Sequence, residues 1–144
     1  MKIMTSRRDF LKQSCGACAA VAGFGFLLSL ESCSSTAMSV AASNGEFSIP
    51  LTAFAENKTL RVRDAGMRND ILLVRKPGDQ VNAFLMKCTH KGGNIKQKQD
   101  ILVCSLHGSN FNLDGAVLKS PAKEPLHRFP VRVEGGNVLV KIDA

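Results

Sequence analysis

Cys88-Thr89-His90-Lys91-Gly92-Gly93 and Cys104-Ser105-Leu106-His107-Gly108-Ser109 are the two stretches around which the chain is organised. The first holds a Cys-x-His pair and the second a Cys-x-x-His pair. Each pair is followed by glycine, and thirteen residues lie between His90 and Cys104. Each pair can bring one thiolate and one imidazole into the same small volume. Two thiolates and two imidazoles suit either a tetrahedral zinc ion or an iron–sulfur centre in which histidine replaces cysteine on one iron. The glycines bear on the choice. Bridging sulfides need hydrogen-bond donors, and backbone N–H groups in tight loops supply them. Gly92, Gly93 and Gly108 allow positive φ and close approach of the backbone to a ligand. Zinc ribbons space their ligands differently.

The two stretches resemble the ligand loops of the Rieske family, C-x-H-x-G and C-x-x-H-G, with every residue of that signature present. The resemblance continues through Asn110, Phe111 and Gly115. It takes in Ser120-Pro121-Ala122-Lys123-Glu124-Pro125-Leu126, which looks like the proline loop that covers the cluster in that family. It ends in the closing hairpin at Gly135-Gly136 and covers residues 46–142. The segment between the two pairs is slightly short for the family, which should trim a turn and leave the ligands alone. The resemblance implies one [2Fe–2S] cluster. Cys88 and Cys104 would bind its inner, buried iron, and His90 and His107 its outer iron near the surface. Neutral imidazoles in place of thiolates raise the potential to about −150 to +300 mV, against about −400 mV for an all-cysteine plant-type cluster. An exposed imidazole can also lose its proton on oxidation, coupling proton to electron transfer.

Departures from the pattern bear on what the electron is for. In quinol-oxidising members each ligand loop carries a further cysteine, and the two form a disulfide; here those positions are Gly93 and Leu106. Ser109 stands where that group has a serine donating to a bridging sulfide. Phe111 stands where it has a tyrosine donating to a ligand sulfur, and phenylalanine cannot donate. Fewer donors to the sulfurs should lower the potential. The pattern of His107, Gly108, Phe111 and Gly115 is more similar to Rieske ferredoxins. Gly92, Gly93, Gly108, Ser109, Phe111 and Pro121 are thus the expected surroundings of the cluster.

The body of the chain reads as β. Short apolar or alternating runs lie at 47–51, 59–63, 71–75, 83–87, 101–103, 110–112, 117–119, 129–134 and 138–142. Between them stand turn signals such as Lys76-Pro-Gly-Asp79, Leu113-Asp-Gly115 and Glu134-Gly-Gly-Asn137. Many short strands at this spacing predict an all-β sandwich or barrel. With the resemblance, the expectation is a Rieske-type antiparallel β-sandwich with a cluster-binding subdomain of two ligand loops and a proline loop. Both ligand pairs should sit where loops meet at one end of the sheets. His127 has no metal-ligand spacing and reads as structural or exposed.

The N-terminus carries a second signal. Ser6-Arg7-Arg8-Asp9-Phe10-Leu11-Lys12 resembles the twin-arginine export signal. An apolar run follows from Cys15 to Leu30, 16 residues, short of the roughly 20 that span a bilayer but suited to a signal core. That route moves folded proteins with cofactors already inserted, so export signal and metal cluster support one another. Leu30-Glu31-Ser32-Cys33 looks like a lipobox, with Cys33 as the acylated residue and Glu31 as a departure. Residues 1–32 are then the signal peptide, 33–45 a flexible Ser/Ala-rich tether, and 46–144 the cluster domain. Cleavage near Ala41, or no cleavage, are the alternatives. Cys15 and Cys18 lie in the apolar run and read as small apolar residues. No cysteine is left for a disulfide.

Composition sets broad limits. The chain has 144 residues, no Trp and no Tyr, and a formal net charge of +7. Losing residues 1–32, with Lys2, Arg7, Arg8 and Lys12 against Asp9 and Glu31, leaves +5. No aromatic-interleaved basic patch argues for nucleic acid. A mild basic charge allows attraction to an acidic redox partner or to anionic headgroups. The expected function is an exported electron-transfer protein on the periplasmic side of a bacterial membrane. It would carry single electrons between a membrane-side donor and a reductase, cytochrome or oxidase chain, as an electron carrier by itself or as a subunit of an oxidoreductase complex. The alternatives are the Rieske subunit of a quinol-oxidising, cytochrome bc-type complex, the small subunit of an exported oxidase, or a zinc-binding module.

Overall fold

Four consecutive aliphatic residues, Ile71 to Val74, are all buried, and they explain how one chain holds two cores. A strand buried on both faces reads as a continuous apolar run and not as an alternation. Ile71 and Leu73 point into one core, with Phe47, Ile49, Phe54, Val62 and Val138 among its members. Leu72 and Val74 point into the other, with Phe84, Met86, Leu102 and Phe111. The second core also contains Cys88 and Cys104.

The computed structural model describes residues 37–142. Among them there is no α-helix, only strands and two short 3-10 turns at Leu51–Phe54 and Pro77–Asp79. The central sheet contains β1 (Met38–Val40), β3 (Thr59–Asp64), β4 (Ile71–Arg75), β5 (Val81–Leu85) and β10 (Arg128–Phe129), paired in that order. A three-stranded sheet of β11 (Val131–Glu134), β12 (Asn137–Lys141) and β2 (Glu46–Pro50) covers the first core. A four-stranded sheet of β6 (Ile95–Lys98), β7 (Ile101–Cys104), β8 (Asn110–Asn112) and β9 (Val117–Lys119) covers the second. The ligand loops are the β5–β6 and β7–β8 connections, and they meet because β6 pairs with β7, with Ile95 opposite Cys104.

The nearly all-β architecture agrees with the sequence, with four differences. The stretch read as a tether, residues 33–45, contributes a strand: β1 runs parallel to β3, with Met38 opposite Val62. Its Ser/Ala-rich composition hid it, because its pairing is made by backbone groups. Ala42 N–H then donates to the buried Asp64 carboxylate at 2.9 Å. That parallel pair is the one exception among the strand pairings described here, all the others being antiparallel. β6 was also unforeseen, since Ile-Lys-Gln-Lys reads as a solvated loop; only Ile95 of the four is buried. The strand expected at 83–87 lies at 81–85. The single run expected at 129–134 is split at Pro130, which has no N–H to donate, so β10 joins the central sheet and β11 the other.

One buried charge anchors the frame. Asp70, 3% exposed, lies between Arg61 at 2.6 Å and Arg63. Burial pushes its carboxyl up, but the Arg63 hydrogen bond and the charges of Arg61 and Arg63 outweigh it, and the net shift is down. The Asp70 carbonyl accepts from Met86 N–H at 2.9 Å, two residues before Cys88. His127 is exposed, with its ring edge-on to Phe129.

Residues 1–36 lie outside the described residues, and with them the twin-arginine stretch, the apolar run and Cys33.

Candidate metal centre

The two ligand loops share one backbone frame. In the first, Cys88 N–H donates to the Gly93 carbonyl at 2.8 Å, and Gly92 N–H donates to the Cys88 carbonyl at 2.9 Å. In the second, Cys104 N–H donates to the Ser109 carbonyl at 2.8 Å, and Gly108 N–H to the Cys104 carbonyl at 3.1 Å. Counting each cysteine as position one, the fifth residue is a glycine with positive φ, +68° at Gly92 and +73° at Gly108. A left-handed residue there is what lets so short a loop close on its own cysteine. Within this frame His90 is the third residue and His107 the fourth. That one-residue offset lets two similar loops present their imidazoles differently. The rings stand edge to face, 5.0 Å between centroids and 73° between planes.

Close packing then joins the loops. The Ser105 N–H and hydroxyl both donate to the Asn94 carbonyl at 3.1 Å. A Cβ on Gly93 would stand 2.8 Å from Leu106 Cβ and 2.9 Å from Cys104 Sγ. The first loop can therefore carry only glycine where it passes the second cysteine. Gly93 and Leu106 face each other across the loops, held by contact and by the Ser105–Asn94 bonds. The proline loop closes a third side. Thr89 hydroxyl donates to the Glu124 carbonyl at 2.7 Å, and the buried Ser109 hydroxyl accepts from Ala122 N–H at 3.0 Å. Pro121 is half-buried, and the Ser120–Pro121 peptide is cis. Phe111, fully buried, backs the site from β8.

Burial grades across the four candidate ligands. Cys88 and Cys104 are buried, His90 is half-buried and His107 is exposed. Burial pushes the Cys104 thiol up, but backbone N–H groups of Leu106 and His107 and the Cys88 side chain outweigh it and bring it below its ordinary value. A sulfur ringed by N–H donors is prepared to carry negative charge. His90 Nδ1 is buried with no hydrogen-bond partner. An orphaned ring nitrogen in the interior is costly unless it binds something. The Cys88 and Cys104 side chains interact, and the His90 and His107 rings lie 5.0 Å apart, so the donors stand as a sulfur pair and a nitrogen pair, as a binuclear centre needs. The four side chains therefore fit a [2Fe–2S] cluster, which when bound supplies a one-electron redox centre.

Thr89, Asn94, Ser105 and Ala122 are structural members of the site that the sequence did not single out. Asn94 and Ala122 act through backbone groups alone, which leave no mark in the sequence. The hydroxyls of Thr89 and Ser105, each inside its Cys…His pair, are the readable signals.

Comparisons with known proteins agree with this geometry. Residues 50–130 match the family model of the Rieske [2Fe-2S] domain. The chain is similar to the cytochrome b6-f complex iron-sulfur subunit of Chlorobaculum tepidum, 29% identical over 76 residues, which are 51% of this chain and 42% of that subunit. It is also similar to the 3-phenylpropionate/cinnamic acid dioxygenase ferredoxin subunit of Escherichia coli, 27% identical, over 69% of this chain and 94% of that protein. The chain thus spans less than half of the first relative and nearly all of the second. Among solved structures it is similar to a cyanobacterial plasma membrane Rieske protein of Synechocystis, with a TM-score of 0.54 and 28% identity, over 64% of this chain and 94% of that one. A chain from the complex of reduced oxygenase and oxidized ferredoxin in carbazole 1,9a-dioxygenase gives a TM-score of 0.51 and 26% identity, over 69% and 94%. The chain belongs to the Rieske [2Fe-2S] domain family and is an electron-transfer protein that binds a [2Fe–2S] cluster.

Proposed function

We propose that this protein is exported by the twin-arginine route, stays tethered at the outer face of the membrane, and carries single electrons from a membrane-side donor to a redox protein. Cys88 and Cys104 would hold the inner iron and His90 and His107 the outer one. The observation that carries this reading is the gradient of burial, from two enclosed cysteines to an exposed His107. Such a gradient leaves one edge of the site open to a partner and shields the rest. The N-terminal motif supports export. β1 supports a mature chain that begins at Cys33, because cleavage near Ala41 would remove a strand paired with β3.

Gly93, Leu106 and Phe111 favour a ferredoxin-like carrier over a quinol oxidase. The inter-loop contact is apolar where a disulfide would stand, and Phe111 brings no donor to the sulfurs. The second reading, a Rieske subunit of a quinol-oxidising complex, draws on the buried Ser109 hydroxyl. Its oxygen accepts from Ala122, which leaves its proton free to donate toward a sulfur.

A redox titration of the full holoprotein decides between them. A potential near the lower end of about −150 to +300 mV is expected, and one near the upper end would favour the quinol reading. The ligand assignment is checked by iron content: Cys88→Ser and His107→Ala should each abolish the cluster, and normal loading of either would refute it. Export is checked by the mass of the N-terminal peptide recovered from membranes. An acylated Cys33 is expected; a soluble product starting near residue 42 would overturn the tether.

A further inference from the structure

Cations are treated differently in the two parts of the fold. Outside residues 86–127, five of the nine described cations, Arg61, Arg63, Arg75, Lys76 and Arg132, are in ion pairs. Within residues 86–127 there is no arginine, and the lysines there are all exposed. Among the described residues none of those lysines makes an ion pair. Lys96, Lys98 and Lys119 stand on β6 and β9, the edges of their sheet, where a lysine also guards against strand pairing. That explanation does not reach Lys87, Lys91 and Lys123, which lie in the loops around the cluster site.

Contacts place those three. A Cβ on Gly92 would stand 3.2 Å from Lys87 Cε, so the Lys87 stem lies along the first ligand loop. Lys91 follows His90 directly. Lys123 precedes Glu124, whose carbonyl takes the Thr89 hydroxyl, so the proline loop brings Lys123 beside the same ligand loop. On the second ligand loop Leu106 is 56% exposed, next to the exposed His107. An exposed apolar side chain beside an exposed ligand, with unpaired lysines on the first ligand loop and the proline loop, has the make-up of a transient docking face. Lysine is a hydrated point charge on a flexible stem, suited to steering an encounter and not to locking it.

We infer that the cluster end, through Lys87, Lys91 and Lys123 together with the exposed Leu106, recruits a redox protein by an acidic docking face. The inference rests on the carrier reading, and it names the partner's chemistry. The rival occupant, an anionic lipid surface, is an outcome of the test.

The test uses reduced holoprotein giving one electron to hexacyanoferrate(III), which becomes hexacyanoferrate(II), across a range of ionic strength. The trianion should react faster at low salt and slow as salt rises, and a tricationic cobalt phenanthroline complex should do the reverse. The triple variant Lys87→Glu, Lys91→Glu, Lys123→Glu should lower the hexacyanoferrate rate at low salt by on the order of tenfold or more and invert both salt dependences. Lys58→Glu, at an unpaired cation near Asp100 and the β6–β7 turn, away from the ligand loops, should leave the sign of both salt dependences unchanged. Fluorescent polyglutamate gives a binding readout that needs no electron transfer: the wild-type protein should bind it at low salt and the triple variant should not. Unchanged salt slopes or unchanged polyglutamate binding in the triple variant would overturn the inference. So would wild-type binding to phosphatidylglycerol vesicles that the triple variant loses, since the face would then belong to lipid. Failure of the carrier reading looks different: a potential near the upper end of the Rieske range, with the salt dependences of both complexes intact.

Discussion

Replacing Gly93 by alanine adds one methyl group at the tightest point between the ligand loops. Gly93 has ordinary negative φ, so the backbone itself tolerates alanine. The obstacle is space. The new Cβ would stand 2.8 Å from Leu106 Cβ and 2.9 Å from Cys104 Sγ. Comfortable carbon contacts lie at about 3.5–4.0 Å, so the loops must part by roughly 0.7 Å or more. Overpacking of this kind costs about 1–3 kcal/mol. The direction of the movement matters more than its cost, because it separates Cys104 from Cys88. The expected result is a chain that folds with a lowered melting temperature and loads substoichiometric iron, read by iron analysis and visible absorption. Gly108→Ala is the control. Nothing lies within 4 Å of its Cβ, but its φ is +73°, so it should lose about 1–2 kcal/mol and still load iron. Adding Leu106→Gly to Gly93→Ala removes one clash and leaves the sulfur clash, so loading should recover only in part. Full iron loading and an unchanged spectrum in Gly93→Ala would refute the reasoning.

Ser109→Ala leaves the buried Ala122 N–H without its acceptor and should cost about 1–3 kcal/mol; it should also lower the potential, and an unmoved potential would remove the proposed bond to a sulfur. Gly115→Ala combines φ +79° with a Cβ 2.7 Å from the Phe84 ring and should cost about 3 kcal/mol by chemical denaturation, with wild-type stability counting against the packing. Asp70→Asn should cost about 2 kcal/mol at pH 7, between surface and buried pairs because its arginines are partly solvent-screened. Its folded value is depressed, so its contribution is fully present above the unfolded value of about 3.9 and is lost as pH falls through the folded one. The gap between wild type and Asp70→Asn should therefore shrink in urea titrations as the pH is taken below 3.9; a constant gap would mean that Asp70 acts by packing alone.

What the sequence disclosed and what it hid have physical reasons. Ile71–Val74 announced a strand because both of its faces are buried, and the hairpin from Val131 to Val140 announced itself by alternation. β1 and β6 gave no such sign. Met38–Val40 has no buried residue, and β6 has only Ile95. Both strands are held mainly by backbone hydrogen bonds, which any residue but proline can make. The site was more legible than the fold around it, since metal ligands must be particular residue types and glycines must stand where the loop turns left-handed. The role of Gly93 was the part that could not be read. It is required for the space beside Cys104 and not for its φ, and space is a property of two loops together.

The shared frame of those loops explains why the motif tolerates unequal spacing. In both, the cysteine N–H and carbonyl are tied within the loop, to the sixth residue and to the fifth. The cysteine is therefore fixed by its own loop before anything binds. The histidines take no part in those bonds, so their positions, third and fourth, are free to differ. The offset has a use. If both histidines stood at the same position, the two loops would present their rings in equivalent ways and a symmetric pair would result. The observed rings stand 73° apart, one half-buried and one exposed. The asymmetry of the motif is thus the asymmetry of the site, with one imidazole half-buried and the other left at the surface.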